Sequence, residues 1–170
     1  MAKHKSERAL QFGVLPWRIS ERGTRQVMLL SSRETRRWVI PKGWPMKGRK
    51  ATDVACQEAY EEAGLIGHVV NKRPVGTFHY EKRLAKKAFL CEVRVFLFRV
   101  ERQLADWPEK AEREAKWFEA DEAAILVQEG GLAEIIRRFS GSYVRFIVHA
   151  KPKRNAPLPT AIAHLPLIEL

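Results

Sequence analysis

The first quarter of the chain alternates short apolar runs with polar turns, which is the pattern of a β-sheet. Residues 9–19 (ALQFGVLPWRI) and 25–31 (RQVMLLS) predict two antiparallel strands joined by a polar turn. Pro16 lies inside the first run and indicates an edge strand or a bulge, because proline cannot donate a ladder hydrogen bond. A second turn leads to a short predicted strand at residues 38–40, which ends just before Gly43.

Residues 51–63 predict a helix. They contain neither proline nor glycine, and an alanine recurs at every fourth position. These alanines are Ala51, Ala55, Ala59 and Ala63. Such a stripe of small side chains packs closely against a sheet. Thr52 is the predicted N-cap, and Gly64 is placed to end a helix of about three to four turns.

The stretch after this helix returns to strand patterns. Residues 65–70 and 75–82 predict two strands, and the charged residues 83–87 (RLAKK) predict a loop. The longest apolar run follows at residues 88–100. One face is apolar throughout, whereas the other changes from Glu92 and Arg94 to Phe96 and Phe98. This pattern predicts a strand that is half exposed at first and buried on both sides later.

Helix patterns return near the end of the domain. A polar loop precedes a predicted short strand at residues 115–118. Asp121 is the predicted cap of a helix that extends to Val127 and is ended by the two glycines at 130–131. Residues 132–139 predict a last helix with one apolar face. Strands around one central helix indicate the α/β (α+β) class, with a mixed sheet packed between helices.

Length and composition predict one compact domain with an irregular segment at each end. A chain of 170 residues can bury a substantial core without disulfides or structural metals. Residues 1–8 are polar and predicted to be frayed, and residues 9–150 form the predicted domain. Residues 151–170 are rich in proline and begin with basic residues, but their last positions are apolar. This extension is predicted to be either a flexible, surface-draped tail or a segment packed on the domain or on a second subunit.

Cysteine usage and hydropathy favour a cytoplasmic protein. Cys56 and Cys91 show no metal-ligand spacing and are interpreted as small buried hydrophobes, which favours a reducing compartment. No apolar run approaches the ~18 residues of a membrane span, and the polar start lacks the apolar core of a signal peptide. We therefore expect no membrane partner, and the pattern makes no prediction of oligomeric state.

The net charge indicates a polyanionic partner. The formal charge is +11 and the pI is near 10, which fits binding to a polyphosphate, a nucleic acid or an anionic membrane surface. Much of this charge lies between residues 33 and 50, where Glu34 is the only acidic residue. The basic residues of that interval are Arg33, Arg36, Arg37, Lys42, Lys47, Arg49 and Lys50. A basic surface kept for solubility is the competing interpretation.

Three glutamates in the predicted helix suggest the chemistry. Glu58 is three residues before Glu61 and four before Glu62, so the carboxylates crowd one face at a cost of a few tenths of a kcal/mol per pair. A cation would remove this repulsion. Oxygen ligands suit hard divalent ions, and Mg²⁺ is usually held by one or two carboxylates together with substrate phosphates. The trio therefore predicts a metal site with a phosphorylated small-molecule substrate, against the simpler interpretation of a solvated helix face.

The spacing of these glutamates and of the flanking glycines resembles a known motif. The matching residues are Gly43, Glu58, Glu61, Glu62, Gly64 and Leu65. They fall at the positions of the Nudix box, G-x5-E-x7-R-E-U-x-E-E-x-G-U, where U is a bulky aliphatic residue. The chain thus resembles the Nudix hydrolases, over about residues 10–140.

Three positions depart from that motif. Arg49 replaces its first Glu, Gln57 replaces the Arg that precedes its second Glu, and Ala59 replaces a larger aliphatic residue. In the family the first two positions commonly pair and brace the loop against the helix, whereas the metal-holding glutamates lie in the later part, which is intact here. For the replaced pair two alternatives remain open: Arg49 pairs with Asp53, or Gln57 braces Glu58 through a neutral hydrogen bond.

The resemblance implies a fold, a cofactor and a reaction. The fold is the Nudix α/β/α sandwich, with a mixed sheet and a central catalytic helix. The Gly43 carbonyl, Glu58 and Glu62, with Glu61 beside them, would hold Mg²⁺ or Mn²⁺ for attack of water on a pyrophosphate link. Glu61 or Glu58 would take the proton, and we favour Glu61.

Segments that flank the motif indicate which members of the family the chain resembles most. LLSSRETRRWVIPKG, EAGLIG and KWFEADEA are most similar to the diphosphoinositol polyphosphate phosphohydrolases, and WVIPKGW is also similar to the diadenosine polyphosphate hydrolases. The positions that match phosphate-gripping residues are Ser32, Arg33, Lys87 and Arg113, to which we add Lys42 from the basic cluster. Arginine contacts phosphate with two hydrogen bonds, and lysine acts as a point charge.

The predicted function is therefore metal-dependent hydrolysis of a pyrophosphate bond in a nucleoside polyphosphate, a dinucleoside polyphosphate or a diphosphoinositol polyphosphate. The alternative is a Nudix domain that has lost catalysis and binds a polyanion, such as RNA or a nucleotide, as a regulator. Arg49, Gln57 and the net charge support this alternative, and the three intact glutamates oppose it. A nucleic-acid partner is not favoured, because only Trp38 and Trp44 interrupt the basic stretch.

Overall fold

Eight strands and three helices make up the part of the chain that a computed structural model describes, residues 8–84 and 87–141. The strands are β1 (Arg8–Ile19), β2 (Arg25–Ser31), β3 (Trp38–Val39), β4 (Lys42–Gly43), β5 (Leu65–Val69), β6 (Gly76–Leu84), β7 (Lys87–Gln103) and β8 (Ala115–Glu119). The helices are α1 (Ala51–Ala63), α2 (Ala120–Leu126) and α3 (Gly130–Gly141). Residues 1–7 of the predicted frayed start, residues 142–150 of the predicted domain and the whole 151–170 extension lie outside the described residues, whereas Arg8 begins β1.

The sheet is mixed, and β1 and β7 form its centre. They pair in parallel from Arg8–Leu90 to Trp17–Arg99, while β2 and β4 join β1 antiparallel. On the other side, β5 and β6 pair antiparallel with β7. The prediction that Pro16 marks an edge strand is wrong. Pro16 pairs with Phe98 of β7, but on the other side of β1 it falls between the residues that pair with β4 and those that pair with β2, where no partner strand requires its N–H.

Helices cover both faces of the sheet, which confirms the predicted sandwich. Alternate residues of β1 show the division, since Val14 packs in the core under α1 and Leu15 packs in the core under α2 and α3. The alanine stripe of α1 is buried at Ala55, Ala59 and Ala63, so the helix lies close to the strands. This close packing places the glutamates of α1 next to β4.

Gly64 ends α1 as predicted, but Thr52 does not begin it. Gly64 has φ 65°, and its N–H donates to Tyr60 O at 2.9 Å, which is the left-handed helix end that glycine favours. Lys50 occupies the N-cap position, because its carbonyl already accepts the N–H groups of Asp53 and Val54 at 3.0 and 3.1 Å. The helix therefore starts one residue before the predicted cap.

Three other predicted boundaries are wrong. Residues 83–87 are not simply a loop, because β6 extends to Leu84 and β7 begins at Lys87 with these two residues in register. Glu119 rather than Asp121 caps α2. The glycines at 130–131 do not end α2 but begin α3, whose first helical hydrogen bond runs from Ala133 N–H to Glu129 O at 3.0 Å.

Strand β7 confirms the burial pattern read from its sequence. Arg94 is exposed, whereas Val95, Phe96, Leu97 and Phe98 are buried on both faces. The predicted last helix is also confirmed, with Leu132, Ile135, Ile136 and Phe139 buried against the sheet. Within the described residues, no helix has the length and apolar character needed to cross a membrane.

Candidate active site

A buried glutamate near the C-terminal end of α1, Glu62, is hydrogen-bonded to the main chain of β4. Glu62 is 5% exposed, and its Oε2 accepts the backbone N–H of Lys42 at 3.1 Å. Its Oε1 accepts a hydrogen bond from Arg113 Nη2 at 2.5 Å. A hydrogen bond to a charged acceptor is worth roughly 1.5–3 kcal/mol, so these contacts fix the side chain between helix, strand and cleft.

Glu58 lies directly against the main chain of Gly43. A Cβ atom built on Gly43 would be 1.9 Å from Glu58 Oε1 and 2.1 Å from its Cδ, so a side chain at position 43 would occupy the place of this carboxylate. Among the described residues, no hydrogen bond to the Glu58 carboxylate is formed. The sequence-predicted pair of Gly43 and Glu58 is therefore brought together in the structure.

Burial, together with neighbouring carboxylates, sets the electrostatics of this acidic corner, which Glu58, Glu61 and Glu62 form beside Gly43. Burial, and after it the charges of Glu62, Glu61 and Glu109, raise the pKa of Glu58 to about 7. Burial also raises the pKa of Glu62, although Lys42 and Arg113 oppose the shift. Neighbouring carboxylates therefore add to the effect of burial at Glu58, whereas at Glu62 the nearby cations act against it. A bound cation would stabilise this arrangement.

The predicted ligand set fits a hard divalent ion in its chemistry but is not closed around one point. All of its donors are oxygens, which suits Mg²⁺ or Mn²⁺. In the described part of the chain, no three His, Cys, Asp or Glu side chains converge to hold a metal. The reason is visible in the contacts, since Arg113 shares Glu62 and Gln57 holds Glu61. Glu58 and the main chain at Gly43 thus form the open part of the site.

Two of the three residues that depart from the Nudix box, Arg49 and Gln57, contact each other. Arg49 Nη1 donates to Gln57 Oε1 at 2.8 Å, and Gln57 Nε2 donates to Glu61 Oε1 at 2.7 Å. Both predicted alternatives are wrong, because Arg49 pairs with Gln57 rather than Asp53, and Gln57 holds Glu61 rather than Glu58. The chain of contacts still ties the loop to the helix. A pairing of reversed polarity therefore stands where the family commonly places Glu and Arg.

A cleft of about 500 Å³ lies next to the acidic corner and collects most of the predicted phosphate-binding residues. Four of the five line it, namely Ser32, Arg33, Lys42 and Arg113. The fifth, Lys87, is the first residue of β7, and its side chain lies outside the part that the structure describes. Residues that are distant in the sequence thus form one basic wall beside the glutamates.

The arginines of this wall are held by carboxylates. Arg113 is 9% exposed at its side chain, and its Nε donates to Glu109 Oε2 at 2.7 Å in addition to its contact with Glu62. Arg33 pairs with Glu109 and, through Nε, with Glu112 Oε2 at 2.7 Å. Ser32 shapes the adjoining turn, since its Oγ accepts the backbone N–H of Arg37 at 3.0 Å. Each arginine is therefore oriented before any ligand arrives.

Lys42 lines the cleft and precedes Gly43 in β4, next to the acidic corner. Burial lowers its pKa, while the charge of Glu62 opposes that shift. Its Nζ lies 5.5 Å from the centre of the Tyr80 ring, close enough for a cation–π contact. Its side chain is partly buried and lines the cleft, where its ammonium would be a point charge available to a phosphate oxygen.

Sequence reasoning did not single out Tyr80, Lys82 and Glu129, which also line the cleft. Glu129 pairs with Arg37, whose Nη1 lies 3.1 Å from Glu129 Oε1, although the two residues are 92 positions apart. No local pattern signals such a pair.

The two tryptophans of the basic stretch have different environments. Trp38 packs edge-on against Phe118, whereas Trp44 is 40% exposed and lies near Lys82.

Comparison with known proteins gives a family and several relatives. The family model of the NUDIX domain matches residues 9–139. Nudix hydrolase 13, mitochondrial, from Arabidopsis thaliana is 28% identical over 120 residues, which are 67% of this chain and 59% of that protein. Diphosphoinositol polyphosphate phosphohydrolase 3-alpha from Mus musculus is 29% identical over 111 residues, or 64% of this chain and 63% of that protein. The chain thus spans less than two thirds of the length of these curated relatives.

The fold also matches solved structures. A crystal structure of a C. elegans Ap4A hydrolase binary complex superposes with a TM-score of 0.56 at 20% identity, covering 78% of this chain and 95% of that one. At this level of identity the match concerns the fold alone. It agrees with the mixed sheet between helices described above.

Proposed function

The chain belongs to the Nudix family, and we propose that it is a divalent-metal-dependent hydrolase of a pyrophosphate bond. The proposed substrates are nucleoside polyphosphates, dinucleoside polyphosphates and diphosphoinositol polyphosphates. The observation that carries the proposal is the juxtaposition of two surfaces. The Gly43 main chain and the carboxylates of Glu58 and Glu62 adjoin a cleft lined by Arg33, Lys42 and Arg113. One surface suits a metal ion and the other suits the phosphates that the ion would share.

The proposed roles follow from position. The Gly43 carbonyl, Glu58 and Glu62 would hold Mg²⁺ or Mn²⁺, which when bound neutralises phosphate charge and lowers the pKa of a coordinated water. Glu61 would accept the proton of the attacking water, with its carboxylate oriented by Gln57. Lys42 and the cleft arginines would stabilise charge on the leaving phosphate. All these groups belong to α1, β4 or the adjoining cleft wall, so side-chain movements, above all of Arg113 away from Glu62, would complete the ligand set.

A domain that binds a polyanion without cleaving it is the competing proposal. The open ligand set favours it, because Glu62 is shared with Arg113. The contact of Arg49 with Gln57 weakens the binding-only proposal. These two departures from the family motif leave the loop braced, so they are not evidence that catalysis has been lost. Hydrolysis also gives a reason for the crowding of Glu58, Glu61 and Glu62, which polyanion binding alone does not.

A substrate panel tests the proposal. Release of phosphate or nucleotide is measured from a nucleoside triphosphate, ADP-ribose, a diadenosine polyphosphate, a triphosphorylated RNA 5′ end and a diphosphoinositol phosphate, each with Mg²⁺, Mn²⁺ or EDTA. We expect cleavage of at least one substrate with metal and none with EDTA. Salt-sensitive binding without turnover on any substrate would support the binder instead.

The bracing contacts give a second prediction. Arg49→Ala and Gln57→Ala each break the chain of hydrogen bonds that orients Glu61, so we expect each to reduce turnover by roughly tenfold, the usual effect of losing a residue that supports a ligand or base. The double variant Arg49→Glu with Gln57→Arg restores the polarity of the family motif. We expect the double variant to turn over substrate faster than the single variant Gln57→Arg, in which two arginines face each other.

Arg138→Ala is the matched control for these variants. It also removes an arginine from a pair, but the pair with Glu134 lies on the exposed surface of α3. Its turnover should equal that of the wild type. Full activity in both Arg49→Ala and Gln57→Ala would show that Glu61 needs no bracing.

A further inference from the structure

One residue that lines the cleft, Glu129, has a carboxylate oxygen without a hydrogen-bond partner in the described part of the chain. The Glu129 side chain is 8% exposed, and its Oε1 is paired with Arg37 at 3.1 Å. Its Oε2 is buried and accepts no hydrogen bond from any described residue. An ionised oxygen buried in this state is unfavourable unless something donates to it, so such groups are rare and call for an explanation.

The position of Glu129 explains how the charge is tolerated but not what it binds. Glu129 immediately precedes α3, and its carbonyl accepts the first helical hydrogen bond from Ala133. The amino end of a helix stabilises a nearby negative charge. The carboxylate nevertheless lines the same cleft as Lys42 and Arg113, the residues proposed to contact phosphate. It is therefore an acceptor placed within a site for polyphosphates.

The chemistry of an acceptor restricts the ligand. A carboxylate repels phosphate oxygens and attracts N–H or O–H donors. An inositol ring with a phosphate on every oxygen offers no such donor, whereas a nucleoside offers ribose hydroxyls and base N–H groups. A site built to hydrogen-bond a donor rejects ligands that lack it, because its buried group is then left unpaired.

The other charged residues of the cleft also favour a ligand with few phosphates. Arg33, Arg37 and Arg113 are each paired with carboxylates of the protein. A ligand with many phosphates would need several of these pairs to break. A short polyphosphate chain joined to a neutral group needs fewer, since the unpaired acceptor and the basic residues then serve different parts of one molecule.

We propose that Glu129 is a specificity-determining residue that accepts a hydrogen bond from the nucleoside part of the substrate, so that nucleoside polyphosphates are preferred to fully phosphorylated inositols. This inference rests on the proposed function for its phosphate subsite. What the inference adds is a second subsite, for the nucleoside, at the amino end of α3. The donor is either a ribose hydroxyl or a base N–H group.

Glu129→Gln is the informative variant. Arg37 should hold the amide oxygen as it holds Oε1, and the amide nitrogen then takes the place of Oε2. A donor would face the donor of the ligand. The probes are ATP and inorganic tripolyphosphate, which share a triphosphate and differ by the nucleoside, and binding is measured by calorimetry with Ca²⁺. For the wild type we expect ATP to bind more tightly, and for Glu129→Gln we expect ATP affinity to fall at least about tenfold with tripolyphosphate unchanged or tighter.

Two controls complete the measurement. Glu134→Gln makes the same change on the exposed surface of α3 and should bind both probes as the wild type does. Thermal unfolding shows that the variants are folded. Repeating the titration with 2′-deoxy-ATP, 3′-deoxy-ATP and purine riboside triphosphate identifies the donor, since the loss of discrimination should appear with the analogue that lacks it.

The outcomes separate this inference from the proposed hydrolysis. Equal affinity of the wild type for ATP and tripolyphosphate, or an equal loss for both probes in Glu129→Gln, would overturn the nucleoside subsite while the panel still reports hydrolysis. Nucleoside-selective, Glu129-dependent binding without turnover would support the subsite and reject the hydrolase. In an active enzyme, we expect kcat/KM of Glu129→Gln to fall for nucleotides and not for a diphosphoinositol phosphate.

Discussion

Replacing Glu62 with glutamine is expected to reduce metal-dependent turnover at least about a thousandfold while the protein stays folded. Glutamine keeps an oxygen for the Lys42 N–H, and Arg113 retains Glu109, so the packing between α1 and β4 survives. The lost charge, however, belongs to the proposed metal ligand. Metal-ion stabilisation of a phosphoryl transition state is worth several kcal/mol, and each 1.36 kcal/mol is tenfold in rate. Initial rates with Mg²⁺ or Mn²⁺ on the substrate identified by the panel measure the effect.

Two further measurements decide whether the loss is due to the metal. Mg²⁺ or Mn²⁺ should raise the Tm of the wild type, because a ligand of the native state stabilises it, and should raise the Tm of Glu62→Gln much less. Glu119→Gln, at the end of β8, changes the same charge on an exposed residue and should leave rate and metal response unaltered. Full turnover in Glu62→Gln would show that Glu62 is not a metal ligand.

The helix that carries the glutamates could be predicted because its signals are local. Freedom from glycine and proline, the alanine stripe and Gly64 all act within one stretch, and α1 covers the predicted residues 51–63. The wrong cap at Thr52 has the same origin. Side-chain preference pointed to Thr52, whereas the backbone carbonyl of Lys50 already begins the hydrogen-bond ladder.

The cleft could be predicted only in part, because it depends on contacts between distant residues. Arg113 reaches Glu62 across 51 positions, and Arg37 reaches Glu129 across 92. These pairs require the register of β2 with β8 and the packing of α3 on the sheet. The resemblance identified Arg33 and Arg113 as candidates but gave no sign of their carboxylate partners. Glu129 carries no sequence signal, since an acidic residue before a glycine pair reads as an ordinary helix boundary.

The departures at Arg49 and Gln57 show how a motif can change while a contact persists. Residue by residue, both positions break the Nudix box. In the structure a guanidinium donates to an amide, and that amide donates to Glu61, so the loop is linked to the helix with reversed polarity. Pairwise function of this kind is invisible to position-by-position matching.

Gly43→Ala is expected to reduce turnover about a hundredfold with little loss of stability. The added methyl would lie 1.9 Å from Glu58 Oε1 and 2.7 Å from Oε2, so the carboxylate must leave its place. These atoms are the far end of a flexible side chain, and Gly43 has no positive φ, so the backbone need not be strained. A catalytic group displaced by about 1 Å commonly costs 10²-fold in rate. Rates and Mn²⁺ affinity on the same preparation measure both consequences.

Gly130→Ala is the matched control, because a Cβ atom at Gly130 meets nothing within 4 Å and the same methyl is added without displacing a carboxylate. If Gly43→Ala loses activity and Mn²⁺ affinity together while Gly130→Ala keeps both, Glu58 must stand against the Gly43 main chain for the metal to bind. Loss of activity with unchanged Mn²⁺ affinity would assign Glu58 to proton transfer, in place of Glu61. Unchanged activity and affinity in Gly43→Ala would mean that the close approach of these residues serves packing alone, and the acidic corner would then have to be assigned to Glu61 and Glu62.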